Sequence, residues 1–170
     1  MKKPDRLIDE LNRLGVHFLI GESHSKLGEP LTPAKLLAGL AAQPDARLRL
    51  ALIAILLQHP EFANDAHKAL EMLDDTQRLI FMLYYTATHY LQLLYADQLS
   101  AVLGQFDKLP DIYSRELKLT EAGTAIDRLK RLAKRHKEIM GLSLNWYGTY
   151  NYAAQRVITR LKVERVWARA

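Results

Sequence analysis

The longest unbroken apolar run lies between Leu50 and Leu57, preceded by Leu48 and bounded by Arg49 and Gln58. A surface helix carries one apolar stripe, whereas this run is apolar all round, so a helix over 46–58 should be covered by others on every side. At eight residues it falls far short of the ~20 needed to span a bilayer. A second, longer stretch begins at Asp74-Asp75. It continues through Leu79 to Tyr85, then Tyr90, Leu91, Leu94 and Tyr95, and later Leu99, Val102 and Leu103. Its apolar positions recur at helical spacing, which predicts one helix over 75–103 and makes it the packing partner of the first.

The remaining segments read as shorter amphipathic helices. Leu7, Ile8, Leu11 and Leu14 share a face between Pro4 and Leu14, and Gly15 stops them. Val16 to Ile20 is a short β-like run too isolated to build a sheet. Gly21 to Pro30 has the composition of a loop. Thr32 caps and Pro33 opens a helix that ends near Ala42, and another is predicted over Glu61 to Leu73. After a loop from Gly104 to Ser114 come two basic helices, about 122–140 and about 145–166. Seven or so helices with short connections predict one all-α bundle of 170 residues, built around the helices over 46–58 and 75–103.

Composition changes this picture in two ways. Without cysteine there is no disulfide framework, thiol nucleophile or thiolate zinc site. Together with a charged N-terminal stretch unlike a signal peptide, this leads us to expect a cytoplasmic protein with no membrane association. The net charge of +5 is unevenly spread. Up to Leu117 there are 12 basic and 15 acidic residues, whereas from Lys118 onward there are 12 and 4. The region 118–170 therefore forms a basic end on a mildly acidic body, which suits an anionic partner: RNA, or an acidic protein face.

Candidate chemistry is sparse. His17, Glu22 and His24 lack helical register, and His67 with Glu71 lacks a second pair, so no metal or other cofactor is expected. Neither a nucleophile elbow nor a phosphate-cradling glycine loop occurs. Arg131 and His136, separated by four residues, resemble the R-x4-6-H signature of HEPN-type ribonucleases, themselves small helical bundles. That resemblance implies metal-independent RNA cleavage, with His136 handling a proton and Arg131 holding the phosphate. Leu132 departs from the polar residue usual after that arginine, and a lysine- and arginine-rich helix produces such a spacing readily.

Binding is better supported than catalysis. Lys130, Lys134 and Lys137 line up on the predicted outer side of the first basic helix, with Arg131 and Arg135 beside them. On the second, Arg156 and Arg160 form an exposed row, with Arg165 and Arg169 beyond. Such rows suit successive phosphates or a partner's carboxylates. Trp146, Tyr147, Tyr150 and Tyr152 lie at the start of the second helix, where they suit base stacking, a protein interface, or sealing the end of the bundle.

Several phrases resemble small, all-helical prokaryotic companions of minimal nucleotidyltransferases in toxin–antitoxin-like or defence loci. They are Gly15 to Glu22, Asp45 to Ala63, the PDIYSREL stretch around Ser114, and Asn145 to Arg156. The resemblance implies a non-catalytic accessory or antitoxin-like subunit that binds a partner protein, a nucleotidyltransferase, or RNA. The chain lacks the G-S and D-x-D metal-binding pattern of such an enzyme, so transfer activity would belong to the partner. The surface assigned to binding is Lys130, Lys134, Arg135, Lys137, Trp146, Tyr147, Arg156 and Arg160.

Overall fold

The computed structural model describes residues 3–19, 28–141 and 144–169. Among them there are eight α-helices, one 3-10 segment and no β-strand, so the all-α expectation holds. The helices are α1 (Lys3–Arg13), α2 (Pro33–Ala41), α3 (Ala46–Gln58), α4 (Ala66–Glu71), α5 (Asp75–Leu94), α6 (Ala96–Leu103), α7 (Ala125–Met140) and α8 (Trp146–Ala168). A 3-10 segment, Pro60–Asp65, precedes α4.

The apolar run becomes the centre of the bundle. Asp45 caps α3 by accepting from the Arg47 amide at 2.9 Å, and Ala51 through Leu57 are fully buried. α5 and α8 pack against α3, as does α2, and α7 packs against α5 and α8. α5 enters through a reciprocal cap, with the Gln77 amide donating to Asp74 and the Asp74 amide to Gln77. It is buried almost continuously from Ile80 to Thr88. Thr86 and Thr88 fit there because their hydroxyls donate to Met82 and Tyr84 carbonyls one turn back, at 2.7 and 2.8 Å.

Several boundaries depart from the sequence reading. The helix expected over 75–103 breaks at Tyr95, whose φ of −105° and ψ of 23° leave helical geometry. The Tyr95 hydroxyl donates to Asn151 of α8 at 2.7 Å and accepts from Gln155, and the new direction lays α6 on α8. The helix expected over 61–73 is divided into a 3-10 segment and the short α4. His59, at the turn, contacts the Leu14 carbonyl at 2.9 Å and Glu61 at 2.9 Å. α7 starts at Ala125 rather than 122, because the Thr124–Asp127 capping box follows Gly123, whose φ is +90°. Val16 and Phe18 form no strand. They are buried against the helices, while Ile20, Glu22 and His24 lie outside the described residues.

Among the described residues no helix is long and apolar enough to cross a membrane.

Candidate functional site

The C-terminal helices carry every residue assigned to binding, and the structure divides those residues into four environments. Lys130, Lys134 and Lys137 stand exposed on α7, as their spacing predicts. Lys130 rests over the half-buried Tyr147 ring, with its Nζ 5.6 Å from the centroid. That cation–π contact ties the α7 row to the start of α8. Ile126 is 40% exposed on the first turn of α7.

Arg131 and Arg135 lie along the connection that precedes α7. Arg131 donates to the carbonyls of Thr120 and Ala122, and Arg135 donates through Nε to the Leu117 carbonyl at 3.0 Å. Arg135 also pairs with Glu138 at 3.3 Å. Both guanidinium groups thus hold backbone, while Arg135 stays part-exposed beside the lysine row. The segment they hold includes Lys118, a non-glycine residue at φ +58°.

His136 and Trp146 occupy the third environment, the interior. The two rings stack with centroids 3.5 Å apart and planes 9° apart, and Tyr84 meets both edge-on. His136 Nδ1 and the Tyr150 hydroxyl share a 2.6 Å hydrogen bond. Burial, helped by the nearby Arg49 charge, pushes the His136 pKa down to about 3, so the ring is neutral near pH 7. Burial likewise raises Tyr150 well above the ordinary tyrosine value. Trp146, at 4% exposure, is therefore a core residue and not a stacking platform, which corrects its assignment to the binding set.

The HEPN-like pair is not assembled within the chain. Five positions at ~100° each leave Arg131 and His136 roughly 140° apart around α7. One side chain bonds the outer connection while the other lies among three aromatic rings. His136 is enclosed, at 1% exposure, in this arrangement.

Arg156 and Arg160 occupy the fourth environment. They line a cleft of about 1050 Å³ between α8 and the end of α1 with the segment after it. Arg13, His17, Phe18 and Leu19 face them across the cleft, and Tyr152 and Val163 extend the α8 wall. The Arg156 guanidinium lies over the Phe18 ring at 4.7 Å, and among the described residues it has no carboxylate partner. Arg160 pairs with Glu164 through Nε at 3.2 Å, leaving its terminal amino groups available. Arg13 pairs with Glu10, while Asp9 adds a buried carboxylate to the lining.

Tyr147 and Arg156 are nine positions apart, which places them on opposite flanks of α8. The basic region is therefore not one face. It comprises a lysine row along α7 and a separate arginine cleft against α1. Sequence reading missed Arg13, His17 and Phe18, which come from the far end of the chain. It also missed the exposed Val163, Val166 and Trp167, at 42%, 66% and 74%. Their 3–4 spacing outside the buried face was the available signal.

Elsewhere, His67 Nε2 lies 3.4 Å from the Glu71 carboxylate on an exposed surface, and among the described residues no cluster of potential metal ligands occurs. Glu22 and His24 of the other histidine group are not among those residues. No protein-family model matches the chain, and no curated protein or solved structure shows significant similarity to it.

Proposed function

We propose that the chain is a non-catalytic, antitoxin-like accessory subunit of the cytoplasm that holds a protein partner, a minimal nucleotidyltransferase, through its basic C-terminal helices. The observation that carries this reading is the company kept by the arginines of the cleft. Arg156 and Arg160 sit in a cleft beside the exposed Tyr152 and Val163, so charge and exposed apolar surface are interleaved. Protein interfaces use that mixture, with arginine and aromatic residues enriched. A polyanionic RNA backbone gains from clustered cations but little from buried valine.

Protein is favoured over RNA by two further placements. Arg131 and Arg135 are engaged by backbone carbonyls, and Trp146 is enclosed, so the basic end presents fewer cations and stacking surfaces than its sequence offers. The enclosure of His136 likewise favours binding over cleavage.

The test is affinity purification of the full chain from its native cell, with and without nuclease. A co-purifying protein should survive nuclease and disappear when Lys130, Lys134, Arg156 and Arg160 are all replaced by glutamate. Recovery of RNA alone, or of the same proteins with the charge-reversed chain, refutes the reading.

A further inference from the structure

The outer side of α8 carries a seam distinct from its buried face. Arg156, Arg160, Val163 and Trp167 follow one another at intervals of four, three and four, the spacing by which one helix presents knobs to another. At ~100° per residue the four fall within roughly 60° of arc, nearly opposite Tyr150, Ala154 and Ile158 at its widest point. The seam runs for about 17 Å along the helix. Its first half is cationic and lines the cleft; its second half is apolar, with Trp167 at 74% exposure and Val166 at 66% beside it.

Such exposure on a well-anchored helix needs a reason. The opposite flank of α8 is fixed along its length, by Tyr95 to Asn151 and, farther on, by Arg165 donating to the Ala101 carbonyl of α6. The seam is thus held rigid while its apolar end remains in water, the arrangement expected of a preorganised docking surface.

We infer that this seam docks an acidic amphipathic helix of a partner protein, an inference that rests on the protein-binding function proposed above. Carboxylates on the incoming helix would meet Arg156, which lacks an ion-pair partner among the described residues, and the terminal amino groups of Arg160. Apolar side chains one to two turns along would cover Val163, Val166 and Trp167. The partner segment is therefore polar and acidic at one end of a stripe and apolar at the other, over three to four turns. A discrete small anion would fill the cleft but leave the apolar half of the seam in water. A nucleic acid would satisfy the arginines but gain nothing from the valines. A second copy of this chain packed seam to seam would offer Arg156 and Arg160 no carboxylate, because the four seam residues carry none.

Photocrosslinking with benzoylphenylalanine at Val163, and separately at Lys134, in the full chain inside its native cell tests this directly. The Val163 probe should capture another protein at a segment that mass spectrometry identifies as amphipathic and acidic. Capture should fall at least about tenfold in an Arg156→Glu, Arg160→Glu background whose circular dichroism is unchanged. Synthesised alone, the identified segment should bind the parent chain and lose about as much affinity for the double variant. Adducts from Val163 only to a second copy, only to nucleic acid, only to a segment without carboxylates, or to nothing overturn the inference. If Lys134 captures a protein and Val163 does not, the binding function stands and the seam is wrong. If neither captures a protein, both fail.

Discussion

Acidification should expose the enclosed histidine as a specific weakness. His136 is 1% exposed, stacked on Trp146 and bonded to Tyr150, and its pKa lies near 3, against about 6.5 in an unfolded chain. Between those values the unfolded chain takes up a proton that the folded chain refuses. Stability from this group is therefore complete above about pH 6.5 and declines by ~1.4 kcal/mol per pH unit below it, toward pH 3. At pH 5 the loss is about 2 kcal/mol, a large share of an ordinary folding free energy. His136→Asn keeps an amide for Tyr150 and cannot titrate. The variant is less stable at pH 7.5 because it loses the ring stack, but its deficit relative to the parent should shrink by about 2 kcal/mol at pH 5. Urea unfolding monitored by circular dichroism at pH 7.5, 6 and 5 measures both curves. A deficit that stays constant across that range would mean that His136 is protonated inside the fold, and the account of its enclosure would be wrong.

Other substitutions probe the remaining elements. Thr124→Ala removes half of the α7 capping box and should cost ~1 kcal/mol in chemical denaturation, and Thr124→Ser should restore most of it. Lys118→Gly relieves a left-handed residue that has a side chain and should be neutral or stabilise by up to ~1 kcal/mol, visible as a higher urea midpoint. Arg131→Ala should accelerate hydrogen exchange across 117–124 while leaving α3 and α5 protected; unchanged exchange there would show that the two carbonyl contacts do not hold the connection. An RNA-cleavage assay on that variant and on His136→Asn should give the parent's background rate in both cases, and a loss confined to the variants would revive the ribonuclease reading.

The sequence disclosed the bundle because its two strongest helices are written in local terms. Leu50 to Leu57 needs no partner to be recognised as buried, and Asp74 with Gln77 announces the start of α5 through neighbours three residues apart. The break at Tyr95 has no glycine or proline to mark it. It depends on Asn151 and Gln155, more than fifty positions away. The candidate site divides similarly. Arg156 and Arg160 are legible as a helical row, but their cleft needs Arg13 and Phe18. Arg131 and Arg135 share the composition of the exposed lysines and differ only in having carbonyls within reach. Trp146 was open to both readings until the fold placed His136 against it.

The connection from 104 to 124 shows where its own shape is encoded. Gln92 receives the Leu109 amide at 2.7 Å and donates to the Asp107 carbonyl, standing in for a neighbouring peptide group. Tyr85 donates to the Pro110 carbonyl, His89 to that of Leu109, and Arg131 and Arg135 hold those of Ala122 and Leu117. Every one of these anchors lies on α5 or α7, and every group it grips is backbone, common to all residue types. Apart from buried Leu109, Tyr113, Ser114 and Leu117, the left-handed Gly104 and Gly123 and the capping Thr124, the segment is therefore free to drift in sequence while keeping its course. In a saturation mutagenesis experiment, most positions intolerant of change would lie in the flanking helices, and the rest of the loop they shape would look dispensable.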